Sequence, residues 1–153
     1  MGNLETRVAG DAAAELGRIL NRDLFLFLLD LEVKRARRYQ NFLCVLLLSL
    51  RHCSHEGNGG GFQSCHQILS HLLEVEVRET DIIGSMEKDQ LAVLLPYADV
   101  SAGGHAKSRF EGTLKYCDFA SKGYEVVVHQ ISFPADGTDI CDLIEKAKDM
   151  ISS

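Results

Sequence analysis

The chain has no apolar run long enough to cross a bilayer. Residues 24–31 and 42–50 are its hydrophobic stretches, and a spanning helix needs roughly 20 such residues. It also has no surplus of positive charge. Sixteen Lys and Arg stand against 22 Asp and Glu, for a net charge of −6. That balance argues against a general nucleic-acid binder, because phosphate contacts need clustered cations. It leaves room for a local basic pocket that takes a small anion. Nor is there an even set of cysteines, since five occur, at 44, 53, 65, 117 and 141. Cys44 lies in an apolar run, and Cys117 and Cys141 fall on helix-like apolar phases. Buried reduced thiols in a cytosolic protein fit this better than a disulfide framework. The first twenty residues lack the apolar core of a signal peptide. Met1 to Thr6 fits the formal N-myristoylation pattern, but a pattern so short arises by chance. No repeat, linker or low-complexity segment interrupts the chain, and no nucleophile-elbow or triad cue surrounds its Ser, His and Asp residues. A cytoplasmic protein without a membrane or nucleic-acid partner is expected.

What remains is the make-up of one folded domain. The 153 residues are 46% hydrophobic and 25% charged, enough to build a core. Residues 4–20 read as a helix. Asn21 is placed to cap a second helix, which carries Leu24, Phe27, Leu28 and Leu31 at helical spacing and ends in Lys34, Arg35, Arg37 and Arg38. Cations at that end suit the helix dipole and a solvated face. Residues 42–50 read as a strand buried on both faces; a helix could also carry the run, but nine residues is short for one, and 57–61 read as a glycine loop. Ile68, Leu69, Leu72 and Leu73 mark a helix. Residues 81–86 and 90–95 are two short strands joined by a charged turn. Ala106, Phe110, Thr113, Leu114 and Cys117 mark another helix, 124–133 a strand, and 134–137 a turn. Ile140, Leu143, Ile144, Ala147 and Ile151 mark the last helix. After two leading helices the order is β-α-β-β-α-β-α, which predicts one central mixed sheet with helices packed on it.

Within that order, Arg78-Glu79-Thr80-Asp81 stands five residues ahead of Glu87-Lys88-Asp89-Gln90-Leu91. Asn21-Arg22 opens a helix that continues through Ala36-Arg37-Arg38-Tyr39. Val45-Leu46-Leu47-Leu48 forms a strand, and Phe133-Pro134-Ala135-Asp136-Gly137-Thr138-Asp139 follows the last one. Together these pieces resemble the GGDEF domains, the family that makes cyclic di-GMP from GTP. The resemblance runs from about residue 21 to the C-terminus. It implies an α/β domain over 21–153 of nucleotidyl-cyclase type, with a ferredoxin-like β-α-β-β-α-β core, preceded by an N-terminal helix over 1–20.

The catalytic features of that family are missing here. An active member holds Mg²⁺ with two carboxylates, and Mg²⁺ wants hard oxygen ligands. By pattern the first carboxylate falls on Ser49, and the companion Asp falls on Arg51. The Gly-Gly-Asp/Glu-Glu-Phe turn becomes Glu87-Lys88-Asp89-Gln90-Leu91. Two glycines that admit the nucleotide are replaced by long side chains, and Gln90 stands where a negative charge is required. Residues 53–58 hold no clear equivalent of the Asn and Asp that bind guanine, and the Asp-x-Leu-Thr-Gly-Leu motif before Asn21 is absent. The resemblance therefore implies a degenerate, non-catalytic member with no metal and no cofactor.

The family's regulatory motif, Arg-x-x-Asp, is present as Arg78 and Asp81. Arg78 offers a planar fork of donors to a phosphate or a guanine edge. Asp81 offers an acceptor to guanine N–H groups. A further Arg in the family lies on the following helix, and counting from the turn gives Arg109. A cation beside Phe110, at the margin of an apolar stripe, wants a carboxylate or an anionic ligand. The expected site is therefore Arg78, Asp81 and Arg109, with cyclic di-GMP as ligand and another signalling protein or a second copy as partner. Three other readings stay open. Arg78 and Asp81 could form only a surface ion pair, which stabilises little, in a module that binds proteins and no nucleotide. The chain could bind GTP without turnover, or retain residual cyclase activity. His52, Cys53, His55, Cys65 and His66 cluster around the glycine loop with soft ligands that suit zinc, but their spacing matches no standard zinc template.

Overall fold

The computed structural model describes residues 18–53 and 59–152. A two-residue strand, β1 (Ile19–Leu20), leads into helix α1 (Arg22–Tyr39). Asn21 caps that helix as its side chain suggests, its Oδ1 accepting the Leu24 N–H at 2.9 Å. Asp23 in the first turn and Arg37 and Arg38 in the last complement the helix dipole. There follow β2 (Leu43–His52), α2 (Gly59–Glu76), β3 (Ile82–Ser85), β4 (Gln90–Pro96) and α3 (Val100–Leu114). A 3₁₀ turn (Ala120–Lys122), β5 (Tyr124–Phe133) and α4 (Ile140–Ser152) complete the chain.

The five strands form one sheet in the order β1-β3-β4-β2-β5. β1 runs parallel to β3, and the other pairs are antiparallel. This is the expected mixed sheet, and strands β2 to β5 have the ferredoxin-like connectivity. β2 lies between β4 and β5 and feeds both layers, because successive side chains point to opposite faces. Cys44, Leu46, Leu48 and Leu50 pack in one core cluster with residues of α2 and α3. Leu43, Val45 and Leu47 pack in the other with residues of α1 and α4. A fully buried leucine contributes about 1.5–3 kcal/mol relative to exposure, so the buried leucines of β2 anchor the domain.

Two glycines let helices come close to the sheet. A Cβ at Gly84 would lie 2.2 Å from the Phe25 ring, so β3 leaves a slot for that side chain. A Cβ at Gly103 would lie 2.4 Å from the Cys44 sulfur, so α3 rests directly on β2. The second contact fixes the helix that carries Arg109.

Some expectations need correction. Ile19 and Leu20 belong to a strand, not to a helix over 1–20, because they pair with Ile83 and Gly84. The rest of that expected helix, residues 1–17, lies outside the described residues. In α1 the buried face is Phe25, Leu29, Val33 and Ala36, whereas Leu24, Phe27 and Leu31 are exposed. The run Leu24 to Leu29 offers two apolar stripes, and the Phe25 slot at Gly84 selects between them. Gly59 to Gly61 already belong to α2, so the glycine loop is shorter than expected. Cys117 lies beyond the end of α3. Among the described residues, no helix is long and apolar enough to cross a membrane.

Candidate ligand site

The turn between α2 and β3 is built from two reciprocal bonds. The Asp81 N–H donates to the Arg78 carbonyl at 3.1 Å. The Arg78 N–H donates to Asp81 Oδ2 at 3.0 Å. Asp81 is therefore buried, at 6% exposure, with one carboxylate oxygen committed to the turn. The Arg78 side chain is left exposed to reach outward. The surface ion pair weighed for these two residues does not describe them, since Asp81 holds the Arg78 backbone and not its guanidinium.

The facing wall is α3. Asp99 caps it, its Oδ1 accepting the Ala102 N–H at 2.8 Å, and so sets the helix phase. Ala102, His105, Ala106 and Arg109 then share one face at helical spacing. That face, the turn residues Arg78, Thr80 and Asp81, and the strand end Leu95–Pro96 with Ala98 enclose a cavity of about 400 Å³. Such a volume lies within the range of small-molecule sites, about 300–1,000 Å³. Its lining mixes small apolar residues with the polar Arg78, Thr80, Asp81, His105 and Arg109. All three residues expected from the sequence, Arg78, Asp81 and Arg109, line this one cavity.

Arg109 has an internal competitor for its charge. Its Nε lies 3.8 Å from Glu76 Oε2 at the end of α2, and its guanidinium carbon lies 5.4 Å from the Phe110 ring centre. Thr113 Oγ1 lies within hydrogen-bond reach of both Glu76 and the Arg109 carbonyl. The pair is long and partly exposed, so it holds Arg109 weakly. His105 and Thr80 were not foreseen. His105 could have been found from its place four residues before Arg109 on the same helix face. Thr80 sits inside the motif itself.

The other end of the β3–β4 hairpin has a different character. Ser49 is buried at 5% exposure, and its Oγ has no hydrogen-bond partner. Arg51 is exposed on β2, opposite Glu125. The turn is bonded back to β2, with the Leu50 N–H donating to the Asp89 carbonyl at 2.8 Å. Glu87 is paired with Arg22 at 3.1 Å, and Lys88 Nζ lies 5.4 Å from the Phe62 ring centre. Phe62, Tyr124, His52 and His66 form a chain of ring contacts beside it.

The remaining candidates are occupied by contacts within the chain. His52 meets Tyr124 edge-on at 4.9 Å, and His66 lies against Phe62. Cys65 is fully buried, and burial raises its thiol pKa, which disfavours the thiolate a metal needs. Cys53 is exposed and His55 lies outside the described residues. Among the described residues, no three His, Cys, Asp or Glu side chains are grouped to hold a metal ion. In the basic run, Lys34 pairs with Asp30 at 2.9 Å, and Arg35 pairs with Glu32. Arg37 donates to the Thr138 carbonyl, and Arg38 lies over the Tyr39 ring.

No family model matches the sequence, and no curated protein matches it. Solved structures do match the fold. A DGC protein from Thermotoga maritima superposes with a TM-score of 0.73 at 18% identity, over 88% of this chain and 96% of that one. The FimX GGDEF domain from Pseudomonas aeruginosa gives a TM-score of 0.73 at 14% identity, over 86% and 85%. The coiled coil and GGDEF domain of DgcB from Caulobacter crescentus, solved in complex with c-di-GMP, gives 0.63 at 13% identity, over 97% and 87%. The chain therefore has the fold of GGDEF domains.

Proposed function

We propose that this chain is a non-catalytic receptor for cyclic di-GMP, bound in the cavity between the Arg78–Asp81 turn and α3. The observation that carries this reading is the meeting of Arg78, Asp81 and Arg109 on one cavity of about 400 Å³. The ligand has two phosphates and two guanines. Arg78 and Arg109 match the phosphates or a guanine Hoogsteen edge, and Asp81 still has one carboxylate oxygen free of the turn bond to accept guanine N–H. Binding of a stacked pair of ligands would let a second copy, or another signalling protein, dock on the same face.

The opposite end of the hairpin does not fit the magnesium of a cyclase. Ser49 offers a neutral, buried hydroxyl, Arg51 brings a repelling charge, and Asp89 is a single carboxylate beside Lys88. Phosphoryl transfer depends on positioning and charge neutralisation, and these residues supply neither. The purified chain with GTP and Mg²⁺ should form no cyclic di-GMP above a no-enzyme blank. Calorimetry with cyclic di-GMP and with GTP tests the receptor reading. Heat with the former and none with the latter supports it, and no heat at tens of micromolar cyclic di-GMP would end it.

A second reading, a protein-interaction module without a nucleotide, draws on the outer face of α1. Leu24, Phe27 and Leu31 there are 43%, 60% and 41% exposed. Association that persists without nucleotide and is lost on Phe27→Glu would favour it.

A further inference from the structure

Arg18 is the first described residue, and it reaches across to the ligand turn. Its Nη2 donates to the carbonyl of Asp81 at 2.9 Å and to that of Arg78 at 3.0 Å. The carbonyl of Glu79 lies a further step away, at 3.5 Å. One guanidinium nitrogen carries two hydrogens, so the two short bonds use both. Three carbonyls of a single turn thus converge on one cation. The same turn presents the side chains of Arg78 and Asp81 to the cavity, while Arg18 itself does not line it.

The chain leaves Arg18 straight into β1. Ile19 and Leu20 pair in parallel with Ile83 and Gly84, two and three residues beyond Asp81. The guanidinium bonds and the β1–β3 ladder therefore form one attachment. It joins the entry of the chain to the strand that begins at the ligand turn. An Arg with only a solvating role would have no reason to meet three carbonyls of one turn. All three contacts come from the one nitrogen, so a Lys could offer the charge and part of the bonding if its shorter head reached the turn.

We propose that Arg18 is the positioning residue of the ligand turn, and that it couples occupancy of the cavity to the attachment of the chain's entry strand. The coupling rests on the receptor reading above, and the positioning does not. A ligand gripped by Arg78 and Asp81 favours the turn geometry that Arg18 also favours. By linkage each then strengthens the other. Release of the β1 edge should weaken the ligand, and the ligand should tighten β1.

Two measurements on the full chain test this. The first needs no ligand. Amide exchange is followed in the wild type, Arg18→Ala and Arg18→Lys. In Arg18→Ala the Arg78 and Asp81 amides should exchange about tenfold faster, as expected when charge-assisted bonds to the turn are lost. Arg18→Lys should recover part of this, and the Val93 and Leu94 amides in the sheet centre should not change. Unchanged turn amides, or equal acceleration throughout the sheet, would overturn the positioning role. The second is calorimetry with cyclic di-GMP. Arg18→Ala should bind about tenfold more weakly, with Arg18→Lys between it and the wild type. Added cyclic di-GMP should also slow exchange at Leu20 in the wild type and not in Arg18→Ala. Equal affinity in the wild type and Arg18→Ala would overturn the coupling. If the wild type takes up no cyclic di-GMP, the receptor reading and the coupling fall together. The exchange result then still decides whether Arg18 holds the turn.

Discussion

At the end of the hairpin where β3 begins, the buried carboxylate of Asp81 is bonded to the turn, and Arg78 and Arg109 face a cavity. At the end where β3 turns into β4, Glu87 is tied to Arg22, Lys88 lies over Phe62, and Ser49 is buried with nothing to bond. Both ends carry charged side chains, and at the first they line a concave space. The two unpartnered buried polar atoms found among the described residues, Ser49 Oγ and His129 Nδ1, both lie away from the cavity. They occupy the same sheet face on neighbouring strands, since His129 is opposite Leu47 and Ser49 is two residues further along β2. The contrast separates an end that opens on a cavity from an end bonded back to β2.

The largest effect should come from breaking the first end. Arg78→Ala should weaken cyclic di-GMP binding by about tenfold to a hundredfold. A hydrogen bond to a charged group is worth about 1.5–3 kcal/mol, and a decade of affinity about 1.4 kcal/mol. Because Arg78 is exposed, its loss should leave the fold intact by circular dichroism. Asp89→Ala at the other end should keep the affinity within about twofold, as distant sites act independently. Equal losses from both substitutions, measured by calorimetry, would erase the distinction between the ends.

Much of this arrangement could be read from residue order. The apolar run from Phe42 to Leu50 is short for a helix and read better as a strand buried on both faces, and Leu43–Leu50 is buried strand. Arg78, Asp81 and Arg109 were picked out by the resemblance to GGDEF domains, and the fold brings the three to one cavity. What escaped was long-range. Arg18 contacts carbonyls sixty residues away, and backbone acceptors leave no mark in a sequence. The choice between the two apolar stripes of α1 depends on Gly84, which is remote in the chain from Phe25. Glu76 as the partner of Arg109 depends on how two helices meet, and periodicity carries no information on that.

The second end can be improved where the first would be damaged. Ser49→Ala removes a hydroxyl that has no partner. A buried unsatisfied polar group costs about 1–3 kcal/mol, so the substitution should stabilise the protein by about 1 kcal/mol. Its urea midpoint should rise with an unchanged slope. A lower midpoint would mean that the hydroxyl is bonded in solution, and that Ser49 is not an unpaired group of the closed end.

A smaller effect is expected at the border of the cavity. Glu76→Gln removes the carboxylate that competes for Arg109 and repels an anionic ligand. The pair is 3.8 Å long and partly exposed, so it is worth at most about 1 kcal/mol. Affinity for cyclic di-GMP should therefore increase, by no more than about fivefold. A decrease would mean that Glu76 orients Arg109 and does not compete for it.

The smallest effect concerns pH and the other orphaned atom. The ring of His129 is half-buried on β5, and its Nδ1 has no partner. Burial lowers its pKa first, and the positive charges of Lys107 and Arg51 lower it further. In the unfolded chain a histidine takes its proton near pH 6.5. The folded protein takes that proton only at lower pH. As the pH falls below about 6.5, protonation therefore favours the unfolded chain, and stability declines. The decline ends once the pH is below the folded value, where both states are charged. Asp118, held low by its bonds to the Ser121 hydroxyl and N–H, contributes in a more acidic window, below the ordinary carboxylate range. Between pH 7 and pH 5 the His129 contribution can therefore be isolated by substitution. His129→Leu should show a shallower loss of urea stability over that interval than the wild type. Its absolute stability is free to differ, because only the slope reports the proton. Parallel slopes would mean that water or a rotated ring satisfies the imidazole in solution. Ser49 would then stand alone as the unpaired polar group of the closed end.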